Sequence, residues 1–199
     1  MRTYLLAAAA ALLVIPGSAR ASTIFSVPAV IANAGSTGNS FDVVLNYSGA
    51  SPITVGGFAF EITTTNTDIT FTGATTSTVP TYIFGANSLF GPNINTSTGQ
   101  TLDASDLDSN PAGASLATGT YGLGHVTFDV ANGAAAGPFA ITLTELGSSL
   151  SDADGNSLPI TLSNGTITIN SVSSVPEPSS LALALSALCA LAALRKRAR

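Results

Sequence analysis

The central part of the chain, residues 22–170, contains no lysine and no arginine. It holds ten aspartate and glutamate residues, so its formal charge is −10, against −5 for the whole chain. No carboxylate there has a Lys or Arg partner within the same segment, so each must be solvated, hydrogen-bonded or bound to a cation. Nucleic-acid binding is not expected, because phosphate backbones require Lys or Arg.

The N-terminus has the three parts of a signal peptide. A basic residue, Arg2, precedes an apolar run over residues 4–15, and Ala19-Arg20-Ala21 provides an A-x-A cleavage site. The run is too short to cross a bilayer comfortably. We therefore predict a signal peptide at residues 1–21 that is removed by signal peptidase, and export through the inner membrane.

The C-terminus combines a proline motif, an apolar stretch and a basic end. Residues 171–178 form a Ser/Pro linker, and the uncharged stretch 179–194 predicts a transmembrane helix. The positive-inside rule retains the basic end 195–199 in the cytoplasm and places the central part outside the inner membrane. The motif comprises Val175, Pro176, Glu177 and Pro178, and the basic stop comprises Arg195, Lys196, Arg197 and Arg199.

This order of motif, short helix and basic end resembles a PEP-CTERM sorting signal. The resemblance covers about 25 residues and implies processing by an exosortase near Pro176-Glu177-Pro178. It also implies a Gram-negative host that makes exopolysaccharide. The inner membrane would then hold the chain transiently, before it reaches the cell envelope, surface or extracellular matrix. The alternative is a plain anchor that is never cut.

Short alternating runs of apolar and polar residues predict β-strands in residues 22–170. In residues 41–47 every second residue is apolar, and similar runs occur at 58–63, 126–130 and 139–144. About eight or nine such strands favour an all-β, two-sheet sandwich. The polar stretch 90–117 is expected to be a long loop, and Asn164-Gly165 is expected to make a hairpin turn.

The strand segments are similar to those of cohesin-like domains and related carbohydrate-binding modules. The likeness covers most of residues 23–169 and implies a nine-stranded jelly-roll sandwich. It does not carry over a dockerin-binding face, because only core strands match. Its four stretches are Phe41–Tyr47, Val55–Ile62, Gly124–Val130, and a C-terminal hairpin formed by residues 151–160 and 165–169.

Two acidic segments have the alternating oxygen ligands that calcium loops use. Neither has the acidic residue that completes an EF-hand, so two interpretations stay open for each segment. The first segment could be a calcium site or an Asp/Gly/Asn turn between strands, and the second a calcium site or a solvated acidic loop. The candidate ligands are Asp152, Asp154 and Asn156 in the first segment, and Asp103, Asp106, Asp108 and Asn110 in the second.

Catalytic patterns are missing from the central part. His125 is the only histidine, no G-x-S-x-G element is present, and Glu61 and Glu145 are the one pair we can propose for a glycoside hydrolase. We therefore expect a non-enzymatic surface or matrix protein that binds a partner protein or exopolysaccharide.

The alternative is a stand-alone carbohydrate-binding module. Aromatic side chains can stack on sugar rings. The absence of tryptophan weakens this alternative. Its candidate aromatic residues are Tyr47, Tyr82, Tyr121, Phe84 and Phe90.

Overall fold

The computed structural model describes residues 21–97, 99–171, 183 and 185–187. The signal peptide up to Arg20, the proline motif 175–178 and the basic stop lie outside these residues. Of the predicted transmembrane helix, only residues 183 and 185–187 are described, and they are helical. Among the described residues, no helix combines the length and apolar character needed to cross a membrane.

Residues 21–97 and 99–171 form fourteen β-strands and one short 3-10 helix at Gly85–Asn87. The strands are β1 (Thr23–Ser26), β2 (Ala29–Asn33), β3 (Asn39–Tyr47), β4 (Ile53–Val55), β5 (Gly57–Thr63), β6 (Ile69–Thr75), β7 (Asn93–Ser97), β8 (Thr101–Leu107), β9 (Ala114–Leu116), β10 (Gly119–Val130), β11 (Gly137–Leu143), β12 (Ser149–Ser151), β13 (Thr161–Ser163) and β14 (Gly165–Asn170).

These strands form two main sheets. The first has the order β13-β1-β3-β10-β6, and the second has the order β2-β14-β11-β5-β8-β7, with β12 also paired to β5. Strands β4 and β9 make a small separate sheet. The predicted all-β sandwich is therefore confirmed, with more strands than the sequence suggested.

The core lies between the two main sheets. In β3, Phe41, Val43 and Leu45 are buried while the residues between them are partly exposed, as alternation predicts. Ring contacts join strands, for example Phe41 with Phe128 at a centroid separation of 5.8 Å. Aliphatic and aromatic burial of this kind is the main stabilising contribution to such a domain.

Both ends of the domain switch between sheets. Strand β1 belongs to the first sheet and β2 to the second, while β13 runs parallel to β1 and β14 runs parallel to β2. The prediction of a hairpin at Asn164-Gly165 is wrong, because β13 and β14 do not pair with each other. Asn164 instead accepts the Leu143 amide on its side-chain oxygen at 3.0 Å, which fixes the chain where it changes sheets.

The prediction of a long loop over residues 90–117 is also wrong. That stretch contains β7, β8 and β9, and β8 lies between β5 and the edge strand β7 in the second sheet. The inward residues of β8 are Leu102, Ala104 and Asp106, all buried. A small and a charged residue occupy two of these three positions, which hides the apolar alternation that marks a strand.

Candidate functional site

Asp106 is a buried carboxylate with four hydrogen-bond donors. It is 1% exposed. Its Oδ2 accepts the hydroxyls of Tyr82 at 2.8 Å and Ser88 at 2.5 Å. Its Oδ1 accepts the amides of Phe90 at 3.0 Å and Leu107 at 2.8 Å. Asp106 therefore fastens the segment 82–90 onto β8, and its oxygens serve this structural role.

Tyr82 donates to this carboxylate from inside the core. Burial, and next the hydrogen bond to Asp106, raise the pKa of the Tyr82 hydroxyl above its usual value. The phenol is thus kept neutral as a donor. The pKa of Tyr82 is higher in the folded than in the unfolded state. Its contribution to the free energy of unfolding is therefore fully present below about pH 10 and decreases as the pH rises further.

The structure separates Asp103 from Asp106. They are three residues apart on β8, so Asp106 points inward and Asp103 points outward. Asp103 lies directly opposite Glu61 of β5 instead. The acidic segment 103–110 therefore does not converge on one point.

The remaining residues of that segment form a turn. Asp108 Oδ1 accepts the amide of Asn110 at 2.9 Å, and Asn110 Oδ1 accepts the amide of Ala112 at 3.1 Å. Asp108 Oδ2 is buried and has no hydrogen-bond partner within the described part of the chain.

The segment 152–156 is closed by its own hydrogen bonds. Asp152 Oδ1 accepts the amides of Asp154 at 2.9 Å and Asn156 at 2.8 Å. Asp152 Oδ2 accepts the Asn156 side-chain amide at 3.0 Å. The Asn156 side chain, followed by backbone amides, lowers the pKa of the Asp152 carboxyl. The loop thus has the geometry of a hydrogen-bonded turn.

The two candidate calcium segments meet at one crevice of about 230 Å³. No group of three or more His, Cys, Asp or Glu side chains within the described residues is arranged to hold a metal ion. Calcium at these positions therefore stays a prediction. The crevice is lined by Gly56, Leu107, Asp108, Asn110, Pro111, Ser151, Asp152, Ala153 and Gly155.

Thermal melting of residues 22–174 tests the calcium prediction. A ligand bound only by the folded state raises its stability, so calcium bound at the crevice is expected to raise the melting temperature by several degrees over chelator. Asp108→Asn is expected to reduce that rise. A melting temperature that is equal in millimolar calcium and in chelator would leave both segments as turns.

The outer face of the first sheet is occupied by its own side-chain hydrogen bonds. His125 Nδ1 lies 2.7 Å from Asp42 Oδ1, and Asp42 Oδ2 accepts the amide of Val79 at 2.9 Å. Further bonds join Asn46 to Ser26 and to Thr120, and Thr72 to Thr127. A partner would have to compete with these contacts.

The outer face of the second sheet is partly exposed along β5 and β8. Along β5 and β8 the directly opposed pairs are Glu61 with Asp103, Ala59 with Ser105, and Gly57 with Leu107. Glu61 accepts the Thr144 hydroxyl at 2.6 Å, while Asp103 accepts no hydrogen bond from a described residue. We call the outward positions of β5 and β8 the β5/β8 face.

An apolar end completes this face. Leu107 is 48% exposed and Leu89 is 49% exposed. The Leu89 amide donates to the Leu107 carbonyl at 3.0 Å, which places the two residues side by side. The β5/β8 face thus runs from exposed leucines through small residues to two opposed carboxylates.

The proposed pair of catalytic carboxylates is not brought together around a crevice. Glu145 lines a crevice of about 430 Å³ with Ser148, Ile160, Thr161 and Leu162, and Glu61 is not among these residues. Glu61 instead bonds to Thr144, with the Gly147 backbone packed against it. A glycoside hydrolase needs both carboxylates to flank one bond.

The aromatic residues considered for sugar stacking are mostly internal. Tyr47, Tyr82 and Phe84 are buried. Tyr121 is half-buried and donates its hydroxyl to the Ala117 carbonyl. Phe90, at 63% exposure, is the one of the five that lies open on the surface.

The arrangement of the two sheets, with both terminal segments shared between them, is that of cohesin domains. A cohesin of Clostridium acetobutylicum, solved in complex with a dockerin, superposes with a TM-score of 0.60 at 20% identity, covering 75% of this chain and 100% of that chain. A non-cellulosomal cohesin from the archaeon Archaeoglobus fulgidus gives a TM-score of 0.55 at 21% identity, covering 80% and 96%.

A third structure is the sixth cohesin of scaffoldin B from Acetivibrio cellulolyticus, in complex with a Cel5 dockerin. Its TM-score is 0.58 at 20% identity, covering 75% of this chain and 99% of that chain. No protein-family model matches the chain, and no curated protein matches it. At these identities the likeness establishes the fold, and it agrees with the resemblance seen in the core strands.

Proposed function

We propose that this chain is an exported, non-enzymatic protein of the cell surface or extracellular matrix whose sandwich binds a partner protein. The β5/β8 face is the binding surface. The signal peptide delivers the chain across the inner membrane, and an exosortase-type enzyme processes it at Pro176-Glu177-Pro178. The mature domain is then released to the envelope or matrix.

The observation that carries this proposal is the direct opposition of Glu61 and Asp103 on a partly exposed sheet face. Like charges directly opposite each other on a sheet are destabilising. No Lys or Arg in residues 22–170 can relieve them. A partner that carries Lys or Arg and a small apolar surface would neutralise this pair and cover Leu89 and Leu107.

The fold supports protein binding over the other candidates. Two of the three cohesin structures compared above are complexes with dockerins. Carbohydrate binding remains the alternative, favoured by the exposed ring of Phe90. Exopolysaccharide is the polysaccharide that a sorted matrix protein would meet. Hydrolase activity has the least support, because the crevice beside Glu145 lacks Glu61.

Photo-crosslinking in the native host tests the binding face. A benzoylphenylalanine at Ala59, in the middle of the β5/β8 face, is expected to capture one discrete partner protein on irradiation. Adding Asp103→Lys is expected to reduce the captured amount by at least about tenfold, because it opposes a cationic partner. The product is followed by immunoblot and identified by mass spectrometry.

The same photoreactive residue at Thr72, on the outer face of the first sheet, is the matched control and is expected to capture much less. Equal capture at Ala59 and Thr72 would refute the assignment of the face. A polysaccharide adduct at Ala59 in place of a protein would establish the carbohydrate-binding alternative.

A further inference from the structure

A crevice of about 430 Å³ lies between strand β13 and the chain that follows β11. One wall is formed by residues 160–162, and the other by Glu145 and Ser148. The two walls adjoin where the Asn164 side-chain oxygen accepts the Leu143 amide at 3.0 Å. Ordinary ligand sites measure about 300–1,000 Å³, so the crevice can hold a short segment of another molecule.

Strand β13 has an open backbone edge at this crevice. Among the described strands it pairs only with β1, in parallel. The Val27 amide donates to the Ser163 carbonyl at 3.1 Å, so Ser163 directs its backbone groups to β1. Because these groups alternate in direction along a strand, the amide and carbonyl of Leu162 point away from β1. No described residue outside the β1 pairing bonds to them, and β13 contains no charge or proline to block a further strand.

The opposite wall of the crevice provides a negative charge without a partner. Glu145 is exposed, and no described residue donates a hydrogen bond to its carboxylate. The next residue, Leu146, is 104% exposed. Residues 22–170 contain no Lys or Arg, so the domain of a second copy has no such side chain to place against Glu145. The charge is therefore complementary to a cationic segment of a different protein.

An apolar crevice continues from the first one. It measures about 250 Å³, shares Ile160 and Thr161 with the first, and is also lined by Ile53, Leu158 and Pro159. Ile160 is two residues before Leu162, which corresponds to about 7 Å along a strand. Side chains of an extended peptide at every second position have the same spacing, so one apolar side chain of such a peptide can enter here.

We propose that β13 and its two crevices bind an extended peptide of another protein by strand addition. The peptide pairs with the open backbone groups of Leu162, its Lys or Arg reaches Glu145, and an apolar side chain two positions away lies beside Ile160. Main-chain hydrogen bonds provide affinity in this mode of recognition, and the side-chain pockets provide specificity. The surface is separate from the β5/β8 face, so the proposal does not depend on the partner proposed there.

Peptide selection on the full chain tests the charge at the crevice. A library of random octapeptides is selected by mRNA display against the full chain, held in detergent by a C-terminal tag. Enriched peptides are expected to combine a Lys or Arg with an apolar residue two positions away. Glu145→Gln is expected to weaken their binding at least about tenfold, measured by fluorescence anisotropy. Asp68→Asn is the matched control, since it removes the same charge beside β6, at the opposite edge of the sheet, and is expected to leave binding unchanged.

The backbone contact has its own pair of variants. Leu162→Pro removes an amide that makes no bond to β1, which an edge strand tolerates, and is expected to abolish binding. Leu162→Ala keeps the amide and is expected to retain most of the binding. Circular dichroism checks the fold of both variants.

A readout on the unchanged protein is independent of their folding. Methylating the backbone amides of a selected peptide one at a time is expected to lower its affinity at least about tenfold at the residue that pairs with Leu162. Three results would each overturn the proposal. They are a selection that enriches no peptide, equal binding to Glu145→Gln and Asp68→Asn, and affinity that no backbone methylation reduces.

Discussion

Replacing Asp106 by alanine is expected to lower the free energy of unfolding by about 3–5 kcal/mol. The substitution removes the acceptor of four hydrogen bonds and leaves two hydroxyls and two amides without their partner. Tyr82 is buried, so water cannot replace the carboxylate there without opening the core. Chemical denaturation of residues 22–174, monitored by circular dichroism, measures the loss.

Asp103→Ala is the matched control, because it removes the same group from the same strand on the opposite face. Its stability is expected to be unchanged or slightly higher, since Glu61 loses a like-charged neighbour. Asp106→Asn is expected to recover part of the loss, because its carbonyl oxygen can still accept the two amides. Equal losses for the two alanine variants would show that the network around Asp106 is not stabilising.

Asp106 also shows where sequence reasoning reaches its limit. Alternation predicted β3, β5, β10 and β11 because their inward residues are large and apolar. The same rule missed β8, where a carboxylate occupies an inward position. Its burial depends on donors from the segment 82–90, which is remote in sequence and reaches Asp106 only in the folded chain.

The candidate metal ligands illustrate the same limit. Their closeness in sequence groups Asp103 with Asp106, but a strand sends residues three apart to opposite faces. Asp108 and Asp152, which belonged to separate predicted sites, line one crevice. Local spacing identifies residues with suitable chemistry, and strand pairing decides which of them meet.

The β5/β8 face required the register between strands. The sequence marks Glu61 only as a catalytic candidate and Asp103 only as a candidate calcium ligand. Their opposition follows from the pairing of β5 with β8, which no local pattern contains. The sequence nevertheless predicts one property of this pair. Because residues 22–170 contain no Lys or Arg, neither carboxylate can have such a partner within the domain.

Gly165→Ala is expected to destabilise the domain by about 2–3 kcal/mol, because it overpacks the point where both terminal segments change sheets. A Cβ at Gly165 would lie 2.6 Å from the Pro28 carbonyl oxygen and 2.8 Å from that of Val27. Both atoms belong to the backbone, and the Val27 amide is bonded to the Ser163 carbonyl at 3.1 Å. The two segments therefore cannot separate without losing the pairing of β1 with β13 or of β2 with β14.

Gly119→Ala provides the control for the general effect of adding a methyl group to a strand glycine. Its nearest neighbour would be the Tyr121 ring at 3.7 Å, an ordinary contact. Its stability is expected to stay within about 0.5 kcal/mol of the original, as for most surface substitutions. Thermal and chemical unfolding of both variants compare the positions directly. If Gly165→Ala has the same unfolding midpoints as Gly119→Ala, the place where the two terminal segments change sheets has room for a side chain. The glycine following Asn164 would then have to be explained by something other than the close approach of two backbones.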